Sequence, residues 1–310
     1  MIPTYNQSTF ILDAIESALA QNYSNLEIIV GDDASTDATS EIVSKISDRR
    51  LKYFLNEINL GRVGNYKNLL YQHATGDYVV NLDGDDYFTD PNFIDEAVKL
   101  ITSNQNIVMV VAKASMKTAI EEIPSLLPKT RESTGLKILS EIPRREYMMM
   151  HMAVLYSRKK AIEIDFYRAN EISSDWESLY RLILHGNVGY LDRNIGVWRI
   201  HANNETNTTN PIKHLNNLGI WGAIYQNAIL NGMNSFYAKY KCLLCMVFFA
   251  QSTCTVVSKK NNLAVMNFLM LILRYYKSVA IFLIVNPFFW VRFMLCLTGY
   301  YRKNIASKTY

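Results

Sequence analysis

Between residues 26 and 112 the chain alternates short apolar runs with helical stretches, and this alternation restricts its fold more than any other feature. Leu26-Glu27-Ile28-Ile29-Val30-Gly31 is a β run that ends at Asp32-Asp33. Residues 35–46 read as a helix with Ser35 or Thr36 as N-cap and Asp37 in the first turn. Residues 51–55 read as a strand, 64–74 as a helix closed by Gly76, 78–82 as a strand, 93–102 as a helix and 107–112 as an apolar strand. Strands separated by helices of this length need crossover connections, so the expected class is α/β with a mostly parallel sheet flanked by helices. In such sheets ligands bind at the carboxyl ends of the strands.

Two of those ends are acidic. Asp83-Gly84-Asp85-Asp86 places three carboxylates in four residues where the apolar run Tyr78-Val79-Val80-Asn81-Leu82 stops. Like charges raise one another's pKa unless a cation or hydrogen-bond donors compensate. A hard divalent cation takes one or two carboxylates and fills its shell with water and substrate phosphates. The cluster therefore suggests Mn²⁺ or Mg²⁺ beside a diphosphate; a polar turn is the plain alternative. Asp32-Asp33, at the end of another strand, points to the same crevice.

The remainder is less regular. Met1-Ile2-Pro3-Thr4-Tyr5-Asn6 reads as the last residues of a strand and its loop, so the first strand is either very short or the chain begins downstream of its natural start. No basic segment followed by an apolar run precedes Tyr5, so no signal peptide is expected. Residues 113–150, with Pro124, Pro128, Gly135 and Pro143, read as irregular. A helix is expected over 174–185, then strands over 188–191 and 195–201, and a polar loop over 202–211 as the domain boundary.

Charge divides at that loop. Residues 1–205 carry all 28 acidic residues and 21 Lys and Arg, whereas residues 206–310 carry 11 Lys and Arg and no acid. Residues 206–310 read as helices with uncharged stretches at 242–257, 263–273 and 278–291, each bounded by Lys or Arg. A spanning helix needs about 20 apolar residues. The preferred reading is helices lying on an anionic membrane surface, over a buried helical subdomain or a true span. Scattering of the cations among apolar runs argues against nucleic acid as a partner. The four cysteines all lie in this region; without a second pair at zinc spacing they read as small buried hydrophobes.

Six motifs in order then give a resemblance. Ile2-Pro3-Thr4-Tyr5-Asn6, Val30-Gly31-Asp32-Asp33-Ala34-Ser35-Thr36-Asp37, Asn59-Leu60-Gly61-Arg62-Val63-Gly64-Asn65, Leu82-Asp83-Gly84-Asp85-Asp86-Tyr87, Ser174-Asp175-Trp176-Glu177 with Arg181-Leu182, and Trp198-Arg199-Ile200-His201 are similar to segments of the family 2 glycosyltransferases of bacterial polysaccharide synthesis. That family is inverting and has the GT-A fold. The resemblance covers residues 2–205 and implies a nucleotide-sugar-binding and catalytic domain over 1–205, followed by a helical region over 206–310. Ser174 stands where the family has Glu, and Asp175 keeps the Asp that follows.

The resemblance implies a role for each matching residue. Asp175 would be the base that takes the acceptor hydroxyl proton; an N-terminal helix carboxylate is the bland reading. Asp85 would hold the metal, Asp83 would serve the ribose side, and Asp86 would contact metal waters or sugar, or cap the next segment. Asp33 would read the nucleobase: a carboxylate accepting an imide N–H selects uracil or thymine over cytosine. Pro3 and Tyr5 would pack on base and ribose, and Asn59 and Gly61 would lie in the donor site. Arg199 and His201 would serve the diphosphate. Trp176, Tyr180 and Trp198 could stack on sugars, although aromatics at such spacing are more often core.

The expected activity is metal-dependent transfer of a sugar from a nucleoside diphosphate sugar, uridine-linked, to a saccharide or lipid-linked acceptor. The expected place is cytoplasmic, at the inner face of the cell membrane. A non-catalytic sugar-nucleotide binder is the alternative, supported by Ser174 and the short first strand. A nucleotidyltransferase would carry a basic Gly-rich loop near its start, and Tyr5-Asn6-Gln7-Ser8-Thr9 has no Lys or Arg.

Overall fold

The structure, a computed structural model, describes residues 1–202, 204–298 and 300. The last ten residues of the basic region, with Arg302, Lys303 and Lys308, lie outside the described residues.

β1 (Ile2–Thr4) is short but wholly buried. α1 (Ile11–Leu19) leads to β2 (Ile28–Asp32), and α2 (Thr39–Ser44) to β3 (Leu51–Leu55). The three strands are parallel, in the order β1-β2-β3, with Ile2 opposite Val30 and Val30 opposite Tyr53. α3 (Arg62–Asn68), continued by one wide π turn over Leu69–His73, leads to β4 (Tyr78–Val80). The segment after β4 runs along the free edge of β1: the Met1 nitrogen donates to Val80 O at 2.8 Å, and Leu82 N donates to Met1 O at 2.9 Å. Pro3 has no N–H to continue that ladder, but its carbonyl accepts from Gly84 N at 3.1 Å. The first strand is thus bonded on both edges, and it fixes the start of the acidic loop.

The second sheet follows from β5 (Tyr87–Phe88), α4 (Phe93–Ser103), β6 (Ile107–Lys117), β7 (Glu122–Pro124), β8 (Glu132–Thr134), α5 (Gly135–Glu141), β9 (Val154–Ser157), α6 (Arg158–Glu163), α7 (Ser174–Leu182) and β10 (Asn187–Arg199). Its order is β4-β9-β6-β10-β5, with β7 on β6 and β8 on β10. The expected α/β class holds and the first sheet is parallel. The second is mixed: β6 and β10 pair in parallel, and its other pairs are antiparallel. β7 returns onto β6 through residues 118–121, far too short for a crossover.

Three local expectations are corrected. The helix expected over 35–46 begins only at Thr39, because the polar residues before it are spent on tying two loops together. Residues 113–150 are not irregular: β6 continues through Ala114 and Ser115, both buried, and α5 is fitted where Gly135 packs against the Ile183 carbonyl. The strands expected at 188–191 and 195–201 are one strand, β10, interrupted by register shifts around Asn194 that turn Asp192 and Arg193 outward to Lys113 and Asp90.

The acid-free region folds into α8 (Pro211–Leu230), α9 (Ser235–Ser258), α10 (Asn262–Tyr275), α11 (Lys277–Val285) and α12 (Pro287–Leu297). Four of these begin at an asparagine whose side chain accepts from the first turn: Asn210, Asn234, Asn261 and Asn286. Asn caps a helix as well as Asp does, so the helices start without adding negative charge. Cys245, Cys254 and Cys296 are buried, as expected, and Cys242 is half-buried. α9 is the one described helix long and apolar enough to cross a membrane, and 44% of its most apolar window is buried against the protein. α11 and α12 meet at 90°.

Composition changes at residue 205, yet the hydrophobic core runs across that point. Trp221 of α8 is 1% exposed and packs with Trp176 and Tyr180 of α7 and Phe249 of α9. Trp176 also donates its Nε1 to Met149 O at 2.9 Å, and Tyr180 its hydroxyl to Tyr147 O at 3.0 Å. Both are therefore core residues rather than sugar platforms. Trp221→Ala should lower unfolding free energy by about 3–5 kcal/mol, the usual cost of emptying a large aromatic site, in one denaturant transition. A loss below about 1 kcal/mol, or a separate second transition, would mean that the helical region folds independently.

Candidate active site

The loops that follow β1 and β2 are laced together. Asn6 N donates to Ser35 Oγ at 2.9 Å, Thr36 N to Asn6 Oδ1 at 2.8 Å, Gln7 N to Thr39 Oγ1 at 3.0 Å and Ser8 N to Asp37 Oδ2 at 3.0 Å. Asn6 and Ala34 both take positive φ, 52° and 62°. Non-glycine residues held there store strain, which collects at functional sites.

The two acids after β2 divide the labour. Asp32 is committed inside: Tyr53 donates its hydroxyl to Oδ2 at 2.7 Å and Ser35 N donates to Oδ1 at 2.8 Å. Asp33 takes both of its bonds on one oxygen, from Leu60 N at 2.8 Å and Asn56 Nδ2 at 3.0 Å, both to Oδ1. Among the described residues Oδ2 of Asp33 accepts nothing and is left for a ligand donor. Asn59 and Gly61 act through this arrangement. Asn59 accepts from Gly61 N at 3.0 Å, and Gly61 adopts φ +77°; the resulting turn aims Leu60 N at Asp33. Tyr5 is 47% exposed beside this slot, and Pro3 is buried beneath it.

The acidic loop enters the crevice beneath β1. A Cβ on Gly84 would fall against Gln7 and Thr4, so only glycine lets the loop lie this close. Asp83 accepts from Tyr66 Oη and from Asn81 Nδ2, each at 2.8 Å. Burial, then the neighbouring Asp85, raises its carboxyl to about 6. Asp86 accepts from Arg199 N at 2.9 Å, and burial with Asp85 and Asp83 pushes it well above the ordinary carboxylate range. Asp85 Oδ2 lies 2.9 Å from His201 Nε2, and the His201 ring stacks on Phe10 with centroids 5.2 Å apart.

Arg199 is tied into the acidic loop. It donates to the Asp85 carbonyl at 2.9 Å, pairs with Asp13, and lies over the Tyr87 ring 4.2 Å from its centroid. Trp198, on the same strand, is partly buried against the core.

Three carboxylates in one loop, Asp85 and Asp86 buried and Asp83 half-buried, fit a divalent ion. Among the described residues no three His, Cys, Asp or Glu side chains converge on one point. Such an ion would be held by Asp85 and His201, and would draw its remaining ligands from water and phosphate.

Asp175 opens α7, half-buried, beside the fully buried Ser174. Burial raises the Asp175 carboxyl, and the Arg62 guanidinium opposes that shift. Arg62 is the residue that sequence reasoning passed over. Its Nη2 donates to Glu171 O at 2.9 Å and Ile172 O at 2.8 Å, on the loop that delivers α7. The guanidinium sits 5.4 Å from the Tyr66 ring centroid. Burial works against its charge, but Tyr66, Asp175 and Asp83 outweigh that and keep it protonated. One cation therefore feels the carboxylates of both the acidic loop and α7. The available signal was its position: a cation in the first turn of a helix opposes the macrodipole, so other groups must hold it there.

Comparison with known proteins gives a consistent result. Residues 1–164 match the family described as glycosyl transferase family 2. An *Escherichia coli* UDP-Glc:alpha-D-GlcNAc-diphosphoundecaprenol beta-1,3-glucosyltransferase, WfaP, is 42% identical over 88 residues, 28% of this chain and 35% of that protein. A *Campylobacter jejuni* GalNAc(5)-diNAcBac-PP-undecaprenol beta-1,3-glucosyltransferase is 32% identical over 156 residues, 48% of this chain and 46% of that one. The matched region is thus about half the length of such relatives, or less. The structure of *Staphylococcus aureus* TarS 1–349 with UDP-GlcNAc superposes with a TM-score of 0.64 at 16% identity, covering 97% of this chain and 90% of that one. That likeness shows the GT-A fold and extends through the C-terminal helices.

Proposed function

The chain belongs to glycosyl transferase family 2, and on that footing we propose that it moves a sugar, with inversion, from a uridine diphosphate sugar to a saccharide or lipid-linked saccharide acceptor in cell-surface polysaccharide synthesis. The observation that carries this reading is the Arg62 guanidinium, which lies over the Tyr66 ring whose hydroxyl bonds Asp83, and which feels the charge of both Asp83 in the acidic loop and Asp175 at the start of α7.

Inverting transfer is one displacement. The acceptor oxygen attacks the anomeric carbon, a base removes its proton, and the bond to the diphosphate breaks with its electron pair leaving on the diphosphate. Asp33 offers Oδ2 to the imide N–H of uracil. Tyr5 packs on the base, and Pro3 fixes the loop beneath. Asp83, braced by Tyr66 and Asn81, faces the ribose. Asp85 and His201 are suited to a divalent cation, which supplies positive charge where the leaving diphosphate becomes more negative. Arg199 holds the loop that carries them. Asp175 takes the acceptor proton.

A thermal-shift panel of UDP-, GDP- and dTDP-sugars, with and without Mn²⁺, tests the donor. Stabilisation by UDP-sugars that requires Mn²⁺ is expected; stabilisation by GDP-sugars alone contradicts the uridine reading.

Asp175 must be ionised to act. Its raised pKa places the acid limb of the kcat profile above that of an ordinary carboxylate. Arg62→Met removes the charge that holds this pKa down, so the limb should move to still higher pH. An unchanged limb in Arg62→Met would mean that Asp175 is not the titrating base.

We place the protein on the inner face of the cell membrane. Leu273, Ile281, Phe282, Val285, Phe288 and Val291 of α10–α12 are all more than 45% exposed, with Arg274, Lys277 and Arg292 among them. Apolar and basic side chains interleaved in this way suit an anionic leaflet.

A further inference from the structure

A groove of about 690 Å³ opens between α8, α9 and the corner where α10 meets α11. Its wall is apolar at Ile229, Leu243 and Val279, and Lys239, Arg274 and Lys277 line the same groove. Residues 206–310 contain no acid, and among the described residues none of these three cations pairs with a carboxylate. An uncompensated cation cluster beside an apolar wall is complementary to an amphiphilic anion rather than to a neutral ligand.

Contacts link the groove to the loop that holds Arg62. Tyr276 lines it, and the Tyr276 hydroxyl lies against Gly219 of α8 and feels the charge of Glu171. The Glu171 carbonyl is one of the two that hold Arg62, which faces Asp175. A ligand in the groove therefore lies one loop away from the residue assigned to the acceptor.

We infer that this groove binds the phosphorylated end of a lipid-linked acceptor. The cations take the diphosphate, the apolar wall takes the first carbons of the lipid, and the attached sugar reaches toward Asp175. The inference rests on the transferase reading above, and deepens it by naming an acceptor of the polyprenyl diphosphate class.

The test uses farnesyl diphosphate as a soluble probe on the full chain and on the Lys239→Ala/Arg274→Ala/Lys277→Ala variant. All three substitutions are at exposed positions. The full chain should bind the probe, and equimolar inorganic pyrophosphate should not displace it. The variant should bind at least about tenfold more weakly, as expected for loss of several cations facing an anion. Its KM for a lipid-linked acceptor should rise with kcat unchanged. Equal binding by the variant, or equal displacement by pyrophosphate, overturns the assignment. So does a variant that loses phosphatidylglycerol vesicles yet keeps the probe, since the cations would then serve the bilayer alone. Mn²⁺-dependent UDP binding, measured on both proteins, separates the two readings: its absence in the full chain sinks the transferase reading, and its presence beside any failure above sinks only the groove.

Discussion

Asp175→Asn should slow sugar transfer by about 10²–10⁴-fold, the usual contribution of a positioned base, while UDP-sugar affinity stays within about twofold. The substitution keeps the size of the side chain and its place at the start of α7, and removes only the ability to accept a proton. Binding should be spared because the nucleotide slot at Asp33 is formed by other elements, the loops after β1 and β2 and the turn at Asn59–Gly61. The part of the acid limb that belongs to Asp175 should also vanish from the kcat profile, leaving only the titration of the acidic-loop carboxyls Asp83 and Asp86. Single-turnover rates with saturating donor separate this chemical effect from binding. A variant that transfers at the rate of the unaltered chain would return Asp175 to the role of a helix N-terminal carboxylate.

Asp85→Ala should abolish the dependence of UDP binding on Mn²⁺. Loss of outer partners of a metal site typically costs about 10–100-fold in affinity, and loss of a ligand should cost more. Two neighbours sharpen the expectation. Asp85 is the loop carboxylate that lies 2.9 Å from His201, so His201→Ala should give a smaller effect in the same direction. Asp83 is braced by Tyr66 and Asn81, so Asp83→Asn should weaken UDP binding without changing its metal dependence. Calorimetry of UDP binding with and without Mn²⁺ reads all three. Unchanged affinity in Asp85→Ala would remove the metal from that loop.

The alternation of strand and helix was readable because each crossover needs a helix of fixed length, and the first sheet follows it. The second sheet was less readable, because antiparallel returns such as β7 leave no periodic signal beyond short runs and punctuation. The acidic loops were legible as clusters, but not the division within them. Only the hydrogen bonds reveal that Asp32 is consumed by Tyr53 and Ser35, while Asp33 takes both of its bonds among the described residues on one oxygen. Arg199 was legible from its motif, but its ring and carboxylate partners, brought together from α1 and β5, were not. Arg62 was hidden because its partners come from residues more than 100 positions away. The acid-free composition of residues 206–310 made the basic apolar surface legible, but not the asparagine caps of its helices or the entry of Trp221 into the central core.

The most direct test is the anomeric configuration of the product formed from an α-linked UDP-sugar with a lipid-linked acceptor and Mn²⁺, read from the coupling of its anomeric proton. A β-linked product is the expected result, because in a single displacement with Asp175 as base the acceptor attacks from the side opposite the leaving diphosphate. An α-linked product, or no release of UDP from any donor, would contradict single-displacement transfer by this crevice.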